Sequence, residues 1–323
     1  MIMLKQFLCN NIILTYHRVI NDSVQVNSEI KSISVTTQTF ESQLLLLKEK
    51  FNIVSIDELL KLNTNTSKKN LAITFDDGYK DNLINALPIL EKYNLPATIY
   101  ITTRFLEGKC DIWWYEIEKI VWDNTELNFI FLNKQYNFKI GSESQKKRCY
   151  KTLSLMFKNL NYSNQNILLE QITKTKKRLQ FNKEVLNKSD LIEITKKNNF
   201  VIGSHTHTHA NLAVLSDEDC ISELSISKQI LENTLGNKIV HFAFPYGSDK
   251  DATLREASLV EKAGYESAVT TQLGFKLKKN FFLIPRIHIG ENHTGWKLLI
   301  KLTWLYKIYY FLRFKIFSTK IFS

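Results

Sequence analysis

Apolar runs and amphipathic stretches alternate along most of the chain. Residues 11–16, 51–56, 71–75, 97–102, 200–203, 239–244, 265–270 and 282–287 are short runs rich in Ile, Val, Phe and Tyr, and they read as strands. Between them, apolar positions recur at helical spacing. Residues 37–50 carry Phe40, Leu44, Leu45 and Leu47, and residues 80–93 carry Leu83, Ala86, Leu87 and Leu90 on one face. Pro88 predicts a kink or an early stop in the second of these. Further helices are predicted at 57–62, up to about 197, at 216–235 and at 252–263. Ser216 followed by Asp217, Glu218 and Asp219 forms an N-cap with an acidic first turn. Strand, helix and strand at this spacing imply βαβ units and parallel pairing, an α/β fold.

The rhythm breaks between about 105 and 188. This stretch opens on the aromatic cluster Ile112-Trp113-Trp114-Tyr115. It continues with a candidate hairpin at 128–140 and two helical stretches at 144–160 and 165–179. Between Leu132 and Lys197 there are fifteen Lys/Arg against five Asp/Glu, an excess of ten that nearly equals the net charge of +11 for the whole chain. The stretch reads as a helical, basic insertion on an α/β core that spans residues 1–295. The tail, 296–323, has six basic residues, no acid, and Trp304, Tyr306, Tyr309, Tyr310, Phe311, Phe314 and Phe317 interleaved among them. A basic aromatic helix suits an anionic membrane interface; packing on the core is the plainer alternative.

Composition narrows the classes. At 323 residues and 44% hydrophobic, the chain can bury one large barrel-like core or two smaller ones. Cys9, Cys110, Cys149 and Cys220 are scattered, with no CxxC spacing, so neither a zinc knuckle nor a disulfide framework is expected. No cleavable leader and no spanning apolar run are recognised. A cytoplasmic protein is therefore expected, peripheral on the inner face of the membrane if the tail binds lipid. The basic insertion carries no nucleic-acid motif, which ranks nucleic acid last among partners.

Two segments carry the candidate chemistry. In Leu71–Tyr79 an apolar run ends in Asp76, Asp77 and Gly78. Carboxylates at a strand's C-terminal edge lie where α/β folds place their chemistry. Because side chains alternate along a strand, the two aspartates diverge, so that one can hold a metal while the other faces a reacting group. The second segment, Gly203-Ser204-His205-Thr206-His207-Thr208-His209, also follows a predicted strand and holds three of the chain's seven histidines. His205 and His209, four apart, can converge on one divalent ion such as zinc if the segment turns like a helix, while His207 points elsewhere. One carboxylate would complete a three-ligand site with open positions.

Thr74-Phe75-Asp76-Asp77-Gly78 followed by Gly203–Leu212 resembles the first two motifs of the polysaccharide deacetylase family, also called the NodB-homology or carbohydrate esterase family 4, with Ala210 where Pro is usual. Phe242-Ala243-Phe244-Pro245-Tyr246-Gly247 is similar to its third motif, and Ile284-Pro285-Arg286-Ile287 lies near its last. The resemblance covers about residues 12–289. It implies a distorted (β/α) barrel and metal-dependent removal of N-acetyl groups from an amino sugar of a bacterial surface polysaccharide or its lipid-linked precursor. Asp77, His205 and His209 would be the metal ligands, with Zn2+ the leading cation, and Asp76 the general base. Pro245 and Tyr246 would line the site, with the Tyr246 N–H as oxyanion donor, and Trp113 and Trp114 are further substrate-binding candidates. The family's usual base-orienting Arg falls at Ala243, for which Arg286 is the candidate substitute. The general acid is open between His17, in a Tyr-His segment similar to that of the branch acting on poly-N-acetylglucosamine, and His288. His17 is favoured. A catalytically inactive glycan- or lipid-binding member is the competing reading.

Overall fold

The computed structural model describes residues 8–23, 28–61, 69–108, 111–274, 280–306 and 308–309. Twelve strands occur among these residues: β1 (Ile12–Tyr16), β2 (Arg18–Ile20), β3 (Ser34–Thr36), β4 (Asn52–Ile53), β5 (Asn70–Phe75), β6 (Ala97–Ile101), β7 (Glu126–Phe131), β8 (Lys134–Lys139), β9 (Phe200–Ser204), β10 (His241–Ala243), β11 (Ser267–Val269) and β12 (Ile287–His288). Eight form one parallel sheet in the order β11-β10-β9-β6-β5-β1-β12, with β4 beside the start of β5. Every residue of β1, β5 and β6 is buried, as expected for parallel strands covered on both faces.

The sheet curls into a distorted (β/α) barrel. Its last segment bridges the two ends: Ile284 exchanges hydrogen bonds with Ala268 (3.0 Å) and Thr270 (2.8 Å) beside β11, and a few residues later Ile287 and His288 pair with β1. The run predicted at 282–287 is therefore mostly a crossing segment, with regular strand only at its end. Ile13, Ala72, Tyr100, Ala243, Val269 and Ile284 form the interior cluster together with Ile56 and Leu59 of the helix Ile56–Lys61. Leu14, Ile73 and Ile99 belong to the larger core that includes the outer helices. The period-two alternation thus carries Thr15, Thr74, Asp76 and Arg286 inward.

Register decides where the loops emerge. Tyr16 lies beside Phe75, Phe75 beside Ile99, Ile101 beside Ser204, and Ser204 beside Phe242. The segments that follow β1, β5, β9 and β10 therefore leave from one edge. Gly203 is needed here because a Cβ would lie 2.5 Å from the Tyr100 ring. The helix predicted at 216–235 is Asp217–Leu235, capped by Ser216, whose side chain accepts from the Asp219 N–H. The 80–93 expectation becomes a wide turn at Asn82–Ala86 leading into a helix at Leu87–Lys92, which opens on Pro88 where its missing N–H costs little.

The insertion is more than helical. It combines helices Trp113–Asp123, Glu143–Lys158 and Tyr162–Thr173 with the β7–β8 hairpin. Both helical stretches begin earlier than the apolar pattern suggested, and the second ends at Thr173. Trp113, Val121, Phe129, Leu153, Phe157 and Leu168 are among the residues of its own buried cluster. Its exit segment returns to the barrel, where the Lys80 N–H donates to Glu184 O (2.8 Å) and the Leu186 N–H to Gly78 O (2.9 Å). Cys110, residue 62 of the helix expected at 57–62, and residues 307 and 310–323 of the expected tail helix lie outside the described residues. The described part of the tail has a helix at Gly295–Lys301. Among the described residues no helix is long and apolar enough to cross a membrane.

Candidate active site

The two adjacent aspartates divide as the alternation requires. Asp76, 2% exposed, points into the barrel. Arg286 meets it with both terminal nitrogens, Nη1 to Oδ1 at 2.7 Å and Nη2 to Oδ2 at 2.6 Å. Thr15 Oγ1 donates to Oδ2 at 3.3 Å. Three of the roughly four acceptor positions of a carboxylate are thereby used, and one remains for a proton. Arg286 is itself fixed by Thr270 O (3.1 Å) and Thr74 Oγ1 (3.0 Å) and is almost wholly buried. Burial opposes the Asp76 charge, but Arg286 and then His205 outweigh it and hold the carboxyl below its ordinary range. Arg286 is thus the ion-pair partner of Asp76, the contact expected of it as the candidate substitute for an arginine at Ala243.

Asp77 turns the other way, with φ +73°. Its Oδ1 lies 3.3 Å from His205 Nε2 and 3.2 Å from His209 Nε2. One ligand atom from each residue lies within 4.8 Å of the others, and all three residues are buried. The His205 Nδ1–H donates to Ala243 O at 2.8 Å, so in the neutral ring the Nε2 lone pair faces Asp77. Asp77 Oδ1 and His209 Nδ1 have no conventional hydrogen-bond partner. A cation or a proton between Asp77 Oδ1 and the two Nε2 atoms would satisfy that oxygen. The donor spacing matches the edge of a tetrahedral zinc site, about 3.3 Å for bonds of about 2.0–2.1 Å. The residues present thus fit a divalent cation.

The histidine segment reaches this arrangement without a helical turn. Thr206 and His209 adopt left-handed backbone, φ +63° and +59°. Glu223 of the Asp217–Leu235 helix pins the loop by accepting from the His207 and Thr208 N–H groups, both at 2.9 Å. His207 points away and meets Thr103 Oγ1 at 3.0 Å. Tyr246 is left-handed as well, φ +62°. Such backbone is uncommon outside glycine and collects where function constrains the chain. Burial opposes the charges of Asp77 and His205 alike. The histidines outweigh it and hold Asp77 well below its usual range, while Asp77 and Asp76 raise His205.

These groups form the floor of a cavity of about 240 Å³, room for several waters or a small substrate group. His17, Asp76, Asp77, His205, His209, Tyr246, Trp113 and Trp114, all expected at the site, line it. The Trp114 and Tyr246 rings lie 4.9 and 5.1 Å from that of His209. Pro245 is buried and does not line the cavity. His288 does not line it either; its ring sits behind His17, centroids 5.6 Å apart. Burial, with the nearby His17, Lys301 and His293, pushes His288 down to about 3. His17 Nδ1 is buried without a partner.

Sequence reasoning did not find Thr15, Tyr150 or the 30–33 wall of Ile30, Ser32 and Ile33. Thr15 was recoverable, being two residues before His17 on an inward-facing strand position. Tyr150 lies on an insertion helix with no distinguishing pattern.

Residues 63–268 match the sequence profile of the family described as polysaccharide deacetylase. The poly-beta-1,6-N-acetyl-D-glucosamine N-deacetylase of Staphylococcus aureus is 26% identical over 296 residues, covering 86% of this chain and 78% of that one. Among solved structures, the Streptococcus pyogenes deacetylase PplD in complex with acetate superposes with TM-score 0.59 at 20% identity, over 90% of this chain and 97% of that one. IcaB from Ammonifex degensii superposes with TM-score 0.55 at 14% identity, over 90% and 96%. At these identities the structural likenesses establish the shared fold.

Proposed function

The chain belongs to the polysaccharide deacetylase family, and from that membership we propose that it hydrolyses the N-acetyl group of an amino-sugar residue in a bacterial surface polysaccharide or its lipid-linked precursor. The observation that carries the reading is the division of the aspartate pair within one cavity. Asp77 joins His205 and His209, while Asp76 is held by Arg286 with one acceptor position open. Asp77, His205 and His209 would hold the cation, and zinc suits this donor set. A bound divalent cation supplies Lewis acidity to water and to the amide carbonyl.

The chain's own groups do the rest. Asp76 takes a proton as the water oxygen adds to the acetyl carbonyl carbon. The Tyr246 N–H, held by its left-handed backbone at the cavity edge, donates to the oxygen that gains charge. The carbon–nitrogen bond then breaks, and His17 delivers a proton to the departing nitrogen, giving amine and acetate. His17 is preferred to His288 because it lines the cavity and His288 does not. Trp113 and Trp114 offer apolar faces to the sugar. The inactive alternative drew on the missing arginine at Ala243 and on the open general acid; the Arg286 ion pair with Asp76 answers the first ground and favours the catalytic reading.

The S. aureus relative names the substrate to try first. Purified protein with added zinc is incubated with β-1,6-linked N-acetylglucosamine oligomers and other N-acetylated glycans, and acetate and free amine are measured. Equal release of both is expected. No release from any substrate at full metal occupancy would overturn the proposal. The inner face of the membrane belongs to the same proposal as a location, supported by the basic aromatic tail.

A further inference from the structure

The insertion ends its helix Glu143–Lys158 on a lysine that reaches the catalytic edge of the barrel. Lys158 Nζ lies 2.7 Å from Asp251 Oδ2, a carboxylate whose side chain is only 4% exposed. The same ammonium sits 5.1 Å from the centre of the Tyr246 ring, a cation–π distance. Asp251 is a junction. Its Oδ1 accepts from Asn211 Nδ2 at 3.1 Å, two residues beyond His209. Its Oδ2 accepts from the Ser248 N–H at 3.1 Å, two residues beyond Tyr246, and from Ser248 Oγ. One carboxylate thus ties together the histidine loop, the Tyr246 loop and the insertion. The neighbouring Phe157 stacks on Trp113, ring centroids 5.0 Å apart, so the lysine projects from the insertion's packed core.

We propose that Lys158 is a positioning residue for the hydrolysis: through Asp251 and the Tyr246 ring, it holds the 245–251 loop so that Tyr246 keeps its left-handed backbone against His209. This rests on the hydrolase reading above. It gives the insertion a part in the reaction beyond walling the cavity. Lys158 does not line the cavity and acts through Tyr246. A displacement of Tyr246 by about 1 Å can cost on the order of a hundredfold in rate.

Lys158→Met keeps the apolar stem over Tyr246 and removes the charge. The expected result is a fall in kcat of about tenfold to a hundredfold, with KM and zinc stoichiometry within about twofold of wild type. Lys158→Arg should restore most of the rate. Asp251→Asn should cause a similar loss, and the double variant no more than either single one, since the two residues form one contact. A purely structural tether would lower thermal stability and leave kcat alone. Amide exchange of the peptide spanning 245–251 is followed in parallel, and Lys158→Met should speed it. A kcat within twofold of wild type, a loss confined to KM, or unchanged exchange would overturn the proposal. If wild type itself releases no acetate, the hydrolase reading fails and with it the role in hydrolysis, while the exchange result separately reports whether the loop clamp exists.

Discussion

Replacing Arg286 with Met tests how the base is held. The substitution removes the two charge-assisted hydrogen bonds to Asp76, at 2.7 and 2.6 Å, along with those to Thr74 and Thr270. Asp76 would then be a carboxylate 2% exposed, left with the Thr15 hydrogen bond and the weaker influence of His205 and His17. Leaving one member of a buried ion pair uncompensated costs about 3–5 kcal/mol. The group avoids part of that cost by taking up a proton, because burial is the largest influence on it and acts to raise its pKa. A protonated Asp76 cannot take the proton of the attacking water, so activity at neutral pH should fall by about 10²- to 10⁴-fold, the range for a lost general base. The sign follows: with Arg286 the carboxyl titrates below its ordinary value, and without it higher than in wild type, so the acid limb of the kcat/KM profile moves to higher pH. Arg286→Lys keeps the charge, loses the two-pronged geometry, and should fall in between. The assay is kcat/KM across pH for the three proteins, with thermal unfolding alongside. An Arg286→Met enzyme with wild-type kcat/KM and an unmoved acid limb would refute the assignment.

Other expectations follow from separate parts of the molecule. His17→Asn should lower kcat by about 10²-fold or more while His288→Asn keeps most activity, because an imidazole pushed down to about 3 holds no proton to donate at neutral pH; the opposite order, measured by acetate release, would reassign the acid. His293 accepts from the Gly290 N–H at 2.8 Å and meets Lys301 Nζ at 2.9 Å, and burial with that ammonium pushes it down to about 4 from 6.5. Its neutral form is the one the fold holds, so its contribution is complete above pH 6.5 and is lost as pH falls through about 4. His293→Gln should accordingly flatten Tm against pH in that window, and an unchanged slope would count against it. Trp296, Trp304, Leu305, Ile308 and Tyr309 are exposed on the described part of the tail. The protein should co-sediment with phosphatidylglycerol vesicles and not with phosphatidylcholine, and deletion of residues 310–323 should weaken this; retention on neither vesicle would remove the membrane from the account.

Much of the barrel was legible because its signals are local. Continuous apolar runs such as Ile12–Tyr16 and Asn70–Phe75 are buried on both faces, and their termini fall where Asp76, Asp77 and His205 begin. Alternation anticipated that the aspartates diverge, although Asp77 lies past the end of β5 in left-handed backbone, which sets its direction. What stayed hidden depends on register between distant segments. Arg286 meets Asp76 across 210 positions only because Ile287 pairs with Leu14 and Leu14 with Ile73. The histidine convergence was right in outcome and different in cause. Left-handed backbone at Thr206 and His209 does what a helical turn was expected to do, and propensity says little about such positions in non-glycine residues. In the insertion, helical periodicity located two helices, but the buried face of each is set by the β7–β8 hairpin and the partner helices, so neither Tyr150 at the cavity nor Lys158 at Asp251 stood out.

The central claim is that a cation at Asp77, His205 and His209 and a base at Asp76 together hydrolyse an N-acetyl group. Asp76→Asn separates the two functions. Zinc content per chain and acetate release from an N-acetylglucosamine oligomer are measured for this variant and for wild type. One zinc per chain in both, with acetate release lower by about 10²-fold or more in the variant, is the predicted result. Equal release by the two proteins, or none from zinc-loaded wild type, would contradict it.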